Sequence, residues 1–288
     1  MAGLKKILVP LIGDVRDRAT LETAFRLAGQ VKAHCEVVHI APDPRTTLPY
    51  LGEGVTGAVI DDYLTAAQEA SDRAAARARE AFDAARSSSG LAATDEPRAD
   101  RLPSVRFQRC IGALVPTVSE LARLADLVVF GRTCSDEPSL TDALEECLMA
   151  AGRPILLAPR EAGASIGTRV CIAWDGSAEA ANALSAGLPV LAGARAVTCL
   201  TIGEKAEAEP RLASVRAYLA LHGVTAESHW LAPSGEPVGE RLLAEAERRN
   251  ADLVIMGGYG HSRLREFILG GATRHVLANA AIPVLIAH

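Results

Sequence analysis

The sequence predicts an α/β protein made of two tandem repeats, each a parallel sheet covered by helices. Three observations carry this. Short apolar runs alternate with longer amphipathic stretches along all 288 residues, the pattern of strands linked by helical crossovers. The order begins again after residue 168. The two halves also match as sequences. Residues 120–131 (ELARLADLVVFG) align with 245–257 (EAERRNADLVIMG) with one inserted residue, 153–158 (RPILLA) with 282–287 (IPVLIA), and 6–9 (KILV) with 169–172 (RVCI). The seam, 160–168 (REAGASIGT), is small and polar as linkers are. The expected domains are therefore 1–160 and 168–288.

In the first half, 5–11 (KKILVPL) reads as a buried strand. Residues 16–31 have helical periodicity, with Leu21, Ala24, Phe25, Leu27 and Ala28 on one side. Strand 35–40 (CEVVHI) follows, then a loop over 42–58, rich in Pro, Gly and Thr. Residues 61–86 are Ala-rich and charged, a long amphipathic helix. Residues 87–103 read as a flexible surface connection. Strand 105–110, helix 115–124, strand 126–131, helix 140–149 and strand 154–158 complete the half. The second half runs strand 169–174, helix 179–191, strand 197–202, helix 207–221, strand 225–231, helix 238–249 and strand 253–256. A helix from about 271 to 279 and strand 283–287 end it.

Bulk properties narrow the function. A net charge of −5 and a pI near 5.8 argue against non-specific binding to nucleic acid or anionic membranes. No signal peptide is expected, and no apolar run approaches the roughly 18–20 residues of a membrane span. The 6 cysteines are scattered without a C-x-x-C pair, and four lie in apolar strand-like runs. They read as buried thiols in a reducing, cytoplasmic compartment. No H-E-x-x-H spacing and no G-x-S-x-G elbow is present.

One stretch stands apart. After strand 253–256 the chain breaks into Gly257, Gly258 and Gly260; Gly270, Gly271 and Thr273 then lead into a helix. Glycine lets backbone approach a ligand closely, and a helix N-terminus presents unpaired N–H groups that suit phosphate. A Walker A loop would need a Lys that is absent. A dinucleotide fingerprint would follow an early strand with an acid about 20 residues on, and this stretch does not. From the residues alone it is either a phosphate cradle or a glycine-rich turn.

The spacing Gly257-x2-Gly260-x9-Gly270 resembles the nucleotide loop of the universal stress protein family, in its ATP-binding branch. The resemblance covers nearly the whole chain, in the tandem form. It implies two flavodoxin-like (adenine nucleotide alpha hydrolase-like) domains, each with a five-stranded parallel sheet, docked about a pseudo-twofold axis through their last strands. The implied nucleotide site comprises Ala173, Trp174, Asp175, Ile202, Met256, Gly257, Gly260, His261, Gly270, Gly271 and Thr273. Asp175 and Ile202 would meet the adenosine, and the glycines would wrap the phosphates. Mg²⁺ could bridge those phosphates, though no protein ligand for it is identifiable. Arg263, Arg265 and Arg274 flank the loop. In the residues themselves, Asp175-Gly-Ser177 also reads as a turn with a helix cap.

There are departures. Gly271 stands where the family pattern has Ser or Thr, with Thr273 keeping a hydroxyl two positions on. In the first half Ile12 occupies the place of the Asp, residues 131–138 bring no paired glycines, and Glu145 and Glu146 fall where phosphate would want positive charge. The first half is therefore expected to bind no nucleotide. The function implied is ATP sensing in a stress response by the C-terminal half. The alternatives are an interaction protein acting through dimerisation and, third, a slow ATPase, for which no general base can be named. The expected partners are adenine nucleotide and a second copy, or a pseudo-dimer within one chain, with neither nucleic acid nor membrane.

Overall fold

The computed structural model describes residues 3–43, 57–132, 138–258 and 271–288. In the first half β1 (Lys6–Leu11) leads to α1 (Asp17–Val31), β2 (His34–Ala41), α2 (Gly57–Ser89), β3 (Ala92–Ala93) and β4 (Ser104–Ile111). Then come α3 (Leu114–Ala122), β5 (Leu127–Gly131), α4 (Pro138–Met149) and β6 (Ile155–Ala158). The second half runs β7 (Arg169–Ala173), α5 (Ala178–Leu191), β8 (Ala196–Ile202), α6 (Lys205–Leu221) and β9 (Glu227–Leu231). It ends with α7 (Val238–Arg248), β10 (Leu253–Gly257), α8 (Gly271–Asn279) and β11 (Val284–Ala287).

The strands form one sheet in the order β3-β4-β2-β1-β5-β6-β11-β10-β7-β8-β9. From the middle outwards, β6-β5-β1-β2-β4 repeats as β11-β10-β7-β8-β9. Every pair is parallel except the joint, where β6 runs antiparallel to β11 with Leu156 opposite Leu285. The carboxyl edges of the two halves therefore face opposite ends of the molecule. Helices on both faces explain why the central strands are continuous apolar runs rather than alternating ones. On one face α1, α2, α5 and α6 pack over Val37, Ile172 and Ile255. On the other, α3, α4, α7 and α8 pack over Val38, Val254 and Ile286. Both layers cross the joint.

Two expectations need correction. The connection over 87–103 is not wholly irregular: it holds the last turn of α2, the short strand β3 on the outer side of β4, and a 3-10 turn at Ala99–Arg101. Two alanines carry too little pattern to betray a strand; the backbone ladder to β4 makes it one. Helix α2 also starts at Gly57, inside the expected loop. Its buried residues, Ser71, Ala78, Phe82 and Ala85, all lie past the second turn. Alanine propensity and spaced ion pairs such as Arg73–Glu69 and Arg79–Asp83 sustain the rest. Phe82 anchors the helix edge-on against Phe25, with centroids 5.7 Å apart.

Cys35, Cys147, Cys171 and Cys199 are buried, and burial pushes the Cys171 thiol up to about 11 and those of Cys147 and Cys199 up to about 12. Cys110 is only half-buried, and Cys134 lies outside the described residues. No described helix is long and apolar enough to cross a membrane.

Candidate functional site

The chain builds the second half outwards from β7, first to β8 and β9 and then, on the other side, to β10 and β11. The strand order reverses between β7 and β10, and a crevice opens at the carboxyl ends of such strands. A cavity of about 270 Å³ lies there. Its floor is apolar, from Ala173, Leu200, Ile202, Leu242 and Met256. Its rim carries Asp175, Ser177, Glu179 and Thr273.

Eight of the expected residues meet in this cavity: Ala173, Trp174, Asp175, Ile202, Met256, Gly257, Gly271 and Thr273. Gly260, His261 and Gly270 lie outside the described residues, as do Arg263 and Arg265. Arg274 does not line it. The sequence reading missed Leu200, Ser177, Glu179, Ala272 and the α7 residues Val238 and Leu242. Leu200 was accessible, because residues two apart on a strand share a face and Ile202 was already named. Val238 and Leu242 reach the cavity only through the packing of α7 on α8.

Local geometry explains the shape. Gly176 has φ +82° and turns the chain out of β7. Ser177 caps α5 by accepting the Ala180 N–H at 3.1 Å, and Asp175 Oδ1 accepts the Ser177 N–H at 2.9 Å. Asp175-Gly-Ser177 is thus both a capped turn and a cavity wall. Gly257 presses on the first turn of α5: an added Cβ would lie 2.5 Å from the Ala180 nitrogen. Around Gly271 an added Cβ meets nothing within 4 Å. The Thr201 hydroxyl donates to the Trp174 carbonyl at 2.7 Å, fixing the backbone beside Asp175. Trp230 lies elsewhere, its Nε1–H donating to the Gly203 carbonyl. Among the described residues no cation lines the cavity and no group of three or more His, Cys, Asp or Glu could hold a metal.

The corresponding place in the first half is filled. Pro10, Ile12, Asp14, Arg16, Asp17, Thr20, Gly131, Arg132 and Leu140 leave about 10 Å³, too little for a base. Gly13, at φ +81°, occupies the position of Gly176, but α2 lies against it, and Arg77 Nε donates to its carbonyl at 2.8 Å. Asp17 accepts the Gly13 and Asp14 N–H groups, and burial pushes its carboxyl up to about 7. Arg132 reaches across the joint to the carbonyls of Ala278 and Ala280. Glu145 and Glu146 do not line this space; Glu146 instead accepts the Ser119 hydroxyl.

Residues 232–288, which carry α7, β10, α8 and β11, match the model of the Universal stress protein family. The chain is 27% identical over 196 residues to the universal stress protein Slr1230 of Synechocystis sp., covering 64% of this chain. It spans 65% of the length of that relative. A universal stress protein from Archaeoglobus fulgidus superposes with a TM-score of 0.70 at 17% identity, covering 98% of this chain and 97% of the other. A functionally unknown protein from Pseudomonas aeruginosa PAO1 superposes with a TM-score of 0.54 at 16% identity, covering 99% and 92%. These two likenesses show a shared fold.

Proposed function

We propose, from the match of residues 232–288 to the universal stress protein family and the likeness to Slr1230, that the chain is a universal stress protein that binds ATP in the second-half cavity as a cytoplasmic stress regulator. In this reading residues 168–288 form the binding domain. Residues 1–160 form a degenerate copy that packs and supports it, a pseudo-dimer in one chain. One observation carries the reading. A single cavity at the strand-order switch gathers Asp175, Ile202, Gly257 and Thr273 from three strand ends and a helix start.

The residues present suit adenosine. The apolar floor accepts a flat base, and the Asp175 carboxylate is placed to accept hydrogen bonds from an amino group or a sugar hydroxyl. The volume is near the lower end of the roughly 300–1,000 Å³ typical of small-molecule pockets. Base and ribose would fill it, leaving phosphates at the mouth, where the start of α8 offers N–H groups. Mg²⁺ would be held by the phosphates.

Calorimetric titration with ATP and Mg²⁺ tests this. Asp175→Ala removes charge-assisted hydrogen bonds and should weaken binding about 10- to 100-fold. Gly271→Ser, which has open space, should bind at least as tightly as the natural chain. Equal affinity in the Asp175→Ala variant would sink the site. No uptake by the natural chain would instead favour an interaction protein.

A further inference from the structure

We propose a second binding site, for a small phosphate-bearing anion, at the opposite, amino edge of the second half of the sheet. A cavity of about 480 Å³ lies there, below the starts of β7, β8 and β9. It is lined by four arginines, Arg169, Arg195, Arg248 and Arg249, by Thr198 and Thr225, and by one acid, Glu227. Four cations around one opening are unexpected in a chain whose net charge is −5.

The arginines are not neutralised in the same way. Glu245, buried under the wall, takes Arg248 at 2.6 Å and Arg249 at 2.9 Å, and faces His229 at 3.0 Å. It orients two of the guanidinium groups and leaves the others. Arg169 Nε donates only to the Arg249 carbonyl, at 3.2 Å. The side chain of Arg195 makes no hydrogen bond or ion pair with any described residue. The nearby Asp252 carboxylate accepts the Arg169 and Thr168 N–H groups and the Ser165 hydroxyl, which fixes the backbone rather than the guanidinium. Glu227 forms no ion pair among the described residues.

The internal repeat supplies a control. Lys6 opens β1 as Arg169 opens β7. By strand register, Lys6 faces His34 and Arg169 faces Ala196, so Glu36 in β2 corresponds to Thr198 in β8. In the first half Glu36 neutralises Lys6 at 2.5 Å. In the second half a hydroxyl takes that place, the Glu227 carboxylate stands opposite it on β9, and the cavity lies in front of Arg169, which has no ion pair like that of Lys6 with Glu36 among the described residues. Guanidinium pairs hold phosphate oxygens in bidentate fashion, and threonine hydroxyls add donors. The arrangement therefore favours a dianionic or more highly charged phosphate.

The test uses the full chain and inorganic pyrophosphate, followed by calorimetry and by hydrogen exchange with mass readout. Saturable binding that weakens with added salt is expected, with new protection in peptides covering 193–199 and 223–228. The double variant Arg169→Ala/Arg195→Ala should lose about tenfold or more in affinity for each guanidinium removed. Thr198→Glu, which rebuilds the first-half ion pair without deleting an arginine, should abolish binding while the chain stays folded. Protection confined to residues 173–177, full affinity in either variant, or no saturable binding would overturn the proposal. Tighter binding of citrate than of pyrophosphate would overturn the phosphate assignment.

Discussion

Replacing Gly13 with alanine should destabilise the chain by about 3 kcal/mol or more, far beyond the same change at Gly176. The two glycines occupy matching positions after β1 and β7, with φ of +81° and +82°. Each alanine pays the left-handed penalty, about 1–2 kcal/mol. At Gly176 that is nearly the whole cost, since the nearest atom to an added Cβ is a flexible Arg211 methylene 3.7 Å away. At Gly13 the Cβ would lie 2.3 Å from the backbone oxygen of Ala74, in α2. A helix backbone held by Phe82 cannot rotate aside as a side chain can, so overpacking strain of about 1–3 kcal/mol is added. At roughly 2–4 °C per kcal/mol for a chain of this size, Gly13→Ala should melt about 6–12 °C below the natural protein. Thermal unfolding of both variants checks this. Equal losses would mean that α2 does not press on the first-half turn, and the account of why that half is closed would fall with it.

The second large effect is at Gly257, and it joins stability to ligand uptake. Gly257→Val places a Cβ 2.5 Å from the Ala180 nitrogen and 2.8 Å from the Glu179 carbonyl carbon, both backbone atoms of the α5 start. The helix must shift or the strand end must bend, at about 3 kcal/mol. The displaced α5 start carries Ser177 and Glu179, two residues of the cavity wall, with it. The folded variant should therefore take up no adenine nucleotide. Gly271→Ala is the control: its Cβ meets nothing within 4 Å, so stability should change little. A folded Gly257→Val chain that binds ATP as the natural chain does would show that the nucleotide goes elsewhere.

Much of this architecture was legible in the residues because buried parallel strands announce themselves. KILVPL, LVVFG and VLIA are apolar without alternation, and helices separate them at regular intervals. β3 was invisible because two alanines have neither period nor bulk, and its pairing depends on the chain returning beside β4. The cavity was half legible. Asp175 and Gly257 could be named because the family resemblance marks them and strand ends at a reversal of order converge. Val238 and Leu242 could not, because periodicity says that one side of α7 is apolar but not what that side meets. The contrast between Glu36 and Thr198 needed the strand register: in the sequence one is a strand acid and the other a strand hydroxyl, with nothing to align them against Lys6 and Arg169.

The antiparallel joint between β6 and β11 has a consequence for dilution. Two separate copies meeting through this ladder would come apart as the protein is thinned, and their melting temperature would follow concentration. Here both strands belong to one polypeptide, so the partner is always present at a local concentration set by the chain itself. The joint forms in a unimolecular step. Its contribution to the melting temperature should be the same in a dense cell and in a dilute cuvette.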